Sequence, residues 1–230
     1  MCASREQRWP IVVAAVLTFG AGALDVIALT HLGGVFASVM TGNLALLGLG
    51  IARADGSAVI HAVLAICSYV IGVAAGVRIS GARDPSSPQW PRSVTATLSV
   101  QFVVQCALAI GWAISNGHPD GAVQLGLLAA AAASMGLQGA AMRDLGVPLA
   151  TTYLTGTLTG LIAARAQVPR ARSNASDVAA LIAAVAGAAC CGLLLMVAPS
   201  AAPLLCVGPP AAVIATAEWR RWLRPRQREE

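Results

Sequence analysis

The chain predicts an all-α integral membrane protein, with six transmembrane helices plus two broken or re-entrant segments in an inverted repeat. Seven or eight spanning helices are the alternative. Three observations predict this class. Charged residues are 11% of the 230 residues and hydrophobic residues 57%, whereas an ordinary soluble domain carries about 25% charge. The scarcity is concentrated in uncharged stretches: 11–24, 26–52 apart from a neutral His31, 94–119 and 121–142. A helix needs about 20 apolar residues to cross about 30 Å of hydrocarbon, and helices of a soluble bundle would show charged faces at helical spacing. Finally, all fifteen basic residues are arginine, and they cluster at the ends of apolar segments.

The elements follow in order. The first apolar segment, near 11–30, is closed by His31-Leu32-Gly33-Gly34, a tight-turn signal. The second, 35–52, is apolar except for Thr41-Gly42-Asn43 at its centre. The third, 59–77, runs into a polar stretch from Arg78 to Arg92 with prolines at 85, 88 and 91. The fourth, 94–115, ends in the polar loop Ser115–Asp120, and the fifth covers 123–142. Gly146-Val147-Pro148 precedes the sixth, 149–164, which contains Thr155-Gly156-Thr157. A basic stretch follows, then segments at 178–198 and 204–219 with Pro199 and Pro203 between them.

Arginine placement decides how many segments cross, because short cytoplasmic loops are enriched in Lys and Arg. Eight crossings from a cytoplasmic N-terminus would put Arg78, Arg83 and Arg92 outside and leave the inner loop at 115–122 without a basic residue. If 35–52 and 149–164 do not cross, fourteen of the fifteen arginines face the cytoplasm and only Arg53, beside Asp55, lies outside. Both termini are then cytoplasmic. The +5 net charge reports this topology and not nucleic-acid binding.

The chain is read as one transmembrane domain, 1–230, with a first repeat at 11–115 and a second at 123–219. Shifted by 114 residues, Gly22 falls on Gly136, Thr41-Gly42 on Thr155-Gly156, Leu44 on Leu158 and Leu47 on Leu161. There are only six identities over 20–52 against 134–166, so the shared layout weighs more than the residues. Three crossings per half make the second half run the opposite way, an arrangement found in transporters whose sites lie near the midplane at discontinuous helices.

A break inside hydrocarbon frees main-chain N–H and C=O groups, which must be buried in protein or face a wet cavity. Thr41, Asn43, Thr155 and Thr157 could add side-chain donors and acceptors there. Gly42 and Gly156 would allow close approach. Small residues also serve plain helix packing, as at Gly72-x-x-x-Gly76 and Gly156-x-x-x-Gly160. Asp25 is the one acid within the first segment; an intramembrane carboxylate is a functional candidate that could hold a cation or a proton. Gln138 stands next to Gly139, the position that matches Asp25 under the shift. Gln101 and Gln105 share one helix face at i and i+4, to line a pore or to bond helix to helix. Arg143 and Asp144 close the fifth segment as an ion pair or interface anchor.

The stretches GALDVIALTHLGGVFASVMTGNLALLG, MGLQGAAMRDLG and TTYLTGTLTGL resemble the YoaK-like family of bacterial inner-membrane proteins, a domain of unknown function. The resemblance implies a bacterial multi-pass protein of the inner (cytoplasmic) membrane and supplies no activity. Asp25, Phe36, Thr41, Gly42 and Asn43 match its first motif, and Met135, Gly136, Leu137, Gln138, Arg143, Thr152, Tyr153, Thr155 and Gly156 its second. Gly139 departs from the asparagine found there in relatives.

The expected partners are the lipid bilayer, a small solute or ion, and a second copy of the chain through small-residue faces; no nucleic acid is expected. No phosphate-binding loop or nucleophile elbow occurs, the three histidines are dispersed along the chain, and neither a cofactor, a metal nor an enzymatic activity is expected. Two functions remain: a secondary transporter or channel for a small solute or ion, and a non-transporting membrane assembly or partner-binding component.

Overall fold

The computed structural model describes residues 5–81, 90–145 and 175–223. Among these the regular structure is helical throughout: α1 (Arg5–His31), α2 (Met40–Ala52), α3 (Gly56–Ser80), α4 (Arg92–Ile114), α5 (Gly121–Asp144), α6 (Ala175–Val197) and α7 (Leu204–Leu223), with a 3₁₀ turn at Pro199–Ala201. Six are long and apolar enough to cross a bilayer: α1 from Ile11, α3, α4, α5, α6 from Val178, and α7 with the turn before it. Six such helices among the described residues agree with the six-crossing expectation, and eight spans do not fit the first half. At 13 residues, α2 covers about 20 Å, well short of the hydrocarbon thickness. The sixth apolar segment, 149–164, with Thr155, Gly156 and Thr157, lies outside the described residues.

The helix ends follow local chemistry. α1 stops where Gly33 (φ 100°) and Gly34 (φ 75°) take left-handed conformations. α2 ends as the Asp55 N–H donates to the Gly50 carbonyl at 2.9 Å, and Asp55 then caps α3 by accepting the Ala58 N–H at 3.1 Å. Pro91 leads into α4, and Asn116 (φ 52°) and Gly117 (φ 79°) turn the chain out of it.

Side-chain contacts sort the helix ends onto two faces. On one, Trp9 packs against Trp90 with ring centroids 5.9 Å apart, and the Arg220 guanidinium sits 4.6 Å from the Trp9 ring centre. This joins the starts of α1 and α4 to the end of α7 in a belt of Trp and Arg. On the other, Trp112 Nε1 donates to the Pro199 carbonyl at 2.9 Å, and Gln124 Nε2 donates to the His31 carbonyl at 2.8 Å. Gln124 Oε1 also lies 3.4 Å from His61 Nε2 in α3. The end of α1 and the start of α3 therefore share a face. Residues 32–55 enter and leave on that side, so the second apolar segment is re-entrant.

Two tight crossings hold the bundle. A methyl group added at Gly22 (α1) would run into the Ala184 carbonyl of α6, and one at Gly187 (α6) into the Phe19 carbonyl of α1. Likewise Gly136 (α5) lies against the Tyr69 carbonyl of α3, and Gly72 (α3) against the Ala133 carbonyl of α5. Bare glycines let the main chains approach in this way, and packing of this kind replaces the hydrophobic drive that is missing inside lipid. α4 packs on α5, α3 and α7, while α7 also lies on α1, with Pro209 against Gly20. The outer surface is apolar, as at Ile71, Ile114, Met196 (82% exposed) and Val197 (84%). So much exposed aliphatic surface belongs in lipid and not in water.

Candidate functional site: a re-entrant segment held by buried side chains

Between α1 and α2 the chain runs without regular structure from Leu32 to Val39. Its main-chain groups cannot be left unpaired at membrane depth. Two side chains answer them. Asn43, fully buried in the first turn of α2, accepts the Phe36 N–H on Oδ1 at 2.8 Å and donates from Nδ2 to the Phe36 carbonyl at 2.7 Å. The carboxamide thus pairs with Phe36 as a neighbouring strand would. Asp25 accepts the Ser38 N–H on Oδ1 at 2.8 Å and the Ser38 hydroxyl on Oδ2 at 2.6 Å. Asp25 lies six residues before His31, so the segment descends about 9 Å below the end of α1 before α2 carries it back along α3.

The remaining predicted residues separate by role. Gly42 lies under the Phe36 ring, 3.0 Å from where a Cβ would stand, so its small size serves packing. Thr41 points outward and is exposed. Gln138 is buried in the centre of the bundle, accepting from Gln101 Nε2 at 2.8 Å and donating to the Leu17 carbonyl at 3.3 Å. It is not part of the re-entrant site but ties α1, α4 and α5 together. Gln101 and Gln105, left open between pore lining and helix bonding, both bond to α5, with Gln105 Nε2 3.5 Å from Ser134 Oγ. Arg143 is exposed, and Arg143 and Asp144 form no ion pair among the described residues.

Two features escaped sequence reasoning. Ser38, which gives Asp25 two donors, had no signal beyond being a small hydroxyl near Thr41-Gly42-Asn43. The histidines, expected to be dispersed, converge on one face: His31 and His118 have ring centroids 6.3 Å apart, and Gln124 links His31 to His61. Helix ends far apart in sequence meet there. Still, no group of three or more metal-ligating side chains forms among the described residues.

The family model described as "Protein of unknown function (DUF1275)" matches residues 13–216. The chain belongs to this family. A relative within reach of alignment is the UPF0700 transmembrane protein YoaK of Bacillus subtilis (strain 168), 33% identical over 152 residues, which are 64% of this chain and 63% of the relative. The match thus spans less than two thirds of that relative's length. No solved structure matches. The DUF1275 match and the six apolar helices together make this a multi-pass membrane protein in contact with the lipid bilayer.

Proposed function

We propose that this chain is a non-enzymatic secondary transporter or channel for a small solute or ion in the bacterial inner membrane, with both termini cytoplasmic. The observation that carries the reading is the re-entrant segment, whose broken backbone is paired inside the protein by Asn43 and Asp25. Discontinuous segments at membrane depth are a device of transporters, which use them to meet a solute and to move between two access states. Asp25 and Asn43 act here as clamps on the segment, and solute passage requires that the clamp yield.

The two glycine crossings support the inverted repeat. Phe19 and Gly22 match Ala133 and Gly136 by a shift of 114, and Tyr69 and Gly72 match Ala184 and Gly187 by 115. The contact of α1 with α6 thus has a counterpart, residue for residue, in the contact of α5 with α3. This is what a pseudo-two-fold axis in the membrane plane predicts.

Solute and ion flux into proteoliposomes tests the function. Folded Asp25→Asn and Asn43→Ala proteins should carry flux altered by several-fold. Unaltered flux removes the clamp from the mechanism, and absence of any flux leaves a non-transporting component. Labelling with an impermeant thiol reagent in a cysteine-free background tests orientation: Arg53→Cys and Asp120→Cys should react from outside, and Arg92→Cys only after lysis.

A further inference from the structure

Gln101 and Gln105 lie near the middle of α4, fully buried, one turn apart on the same face. The hydrogen-bond directions around Gln101 are forced. The Leu17 carbonyl can only accept, so Gln138 must present its NH₂ group to it and its Oε1 to α4. Gln101 must then present its own NH₂ group to Gln138. This turns Gln101 Oε1 away, and among the described residues no donor reaches it; the same is true of Gln105 Oε1. Rotating the Gln101 carboxamide would only set two carbonyl oxygens against each other. The bundle centre therefore holds two enclosed acceptors without donors, in a place where nearly every buried polar group has a partner.

We infer that Gln101 and Gln105 form a buried binding site for a small uncharged hydrogen-bond donor, of which water is the smallest. The site needs two hydrogen-bond donors, from one molecule or two, that bring no charge. Side chains one turn apart stand about 5–6 Å from each other at Cβ, so both carboxamides lie in one layer, within reach of one small donor or of one donor each. A water bridging buried polar groups is nearly as favourable as a direct bond. A metal cation fits poorly. Hard cations call for about six or more oxygen ligands, and no carboxylate among the described residues bonds to this layer to offset the charge. Asp25 is committed to Ser38, and the layer's other polar members, Gln138 and Ser134, are neutral.

This inference stands apart from the transport reading, because it concerns what the bundle centre holds whether or not anything crosses. Water-to-protein polarisation transfer in solid-state NMR tests it on the full chain in lipid bilayers, with glutamine side chains labelled in ¹³C and ¹⁵N. Gln101→Met and Gln105→Met variants assign the resonances. Transfer to both carboxamides should build up several-fold faster than to the enclosed side chain of Leu98. Dry carboxamides would overturn the inference, as would occupancy that follows sodium or potassium concentration. Thermal unfolding gives a second arm: Gln105→Met should lower the melting temperature if the site is occupied, and a rise would mark an acceptor that has no occupant. Hydrated carboxamides without flux would keep this inference and end the transport reading; flux with dry carboxamides would do the reverse.

Discussion

Replacing Asn43 by alanine removes both partners of the Phe36 main chain at once. The two bonds are short, 2.8 and 2.7 Å, and Asn43 is wholly enclosed. An unsatisfied buried group costs about 1–3 kcal/mol, which gives about 2–6 kcal/mol for the pair. Bonds between helices in membranes average only about 0.6 kcal/mol, because the unfolded state in lipid also finds partners; two of them set a floor near 1 kcal/mol. Phe36 lies in an irregular stretch where neither group has a helical partner, so the loss should fall in between, at about 2–4 kcal/mol. Reversible unfolding in mixed micelles measures it. Asn43→Asp sharpens the test. An aspartate keeps an acceptor for the Phe36 N–H but sets a second oxygen against the Phe36 carbonyl, so it should be at least as harmful as alanine. If Asn43→Asp were clearly milder than Asn43→Ala, or if alanine cost less than about 0.5 kcal/mol, well under that floor, Asn43 would not be holding the segment.

Three further outcomes follow from the same geometry. Ser38→Ala removes the hydroxyl bond to Asp25 but leaves the Ser38 N–H in place, so it should destabilise by about 1–2 kcal/mol, less than Asp25→Ala, which strips every donor on the carboxylate of its acceptor, the Ala37 N–H included; paired unfolding curves show the order. Gly136→Ala forces a methyl into the Tyr69 carbonyl and should cost more than about 2 kcal/mol through separation of α3 and α5, while Gly126→Ala, with open space around it, should be neutral or slightly stabilising in the same assay. Trp112→Phe loses the bond from Nε1 to the Pro199 carbonyl and should cost about 1 kcal/mol, with the change in tryptophan fluorescence confirming the site.

The membrane fold was legible because crossing a bilayer imposes a length and an absence of charge, both of which can be counted in one dimension. The short second helix agrees with the signal from Arg78, Arg83 and Arg92, against which only Arg53 spoke. Less visible was what the polar residues face. Asn43 and Asp25 were recognised as out of place in oil, yet their partners are the Phe36 backbone and Ser38, and main-chain groups leave no mark in a sequence. Gln101 and Gln105 could be placed on one helix face by spacing, but pore lining and helix bonding share that spacing; only the position of Gln138 separates them. The clustering of histidines depended on which helix ends meet.

The belt in which Arg220 lies over Trp9 joins α1 to α7. The principal neighbours of α1 are α6 and α7, which leave the ribosome after α3, α4 and α5. During synthesis the opening helix must therefore wait in the bilayer with its Gly22 groove turned to lipid, while α3, α4 and α5 can already assemble. Chains that stop before residue 175 would leave α1 stranded however well they insert, which makes the arrival of α6 and α7, and not the threading of α1, the moment at which the bundle is sealed.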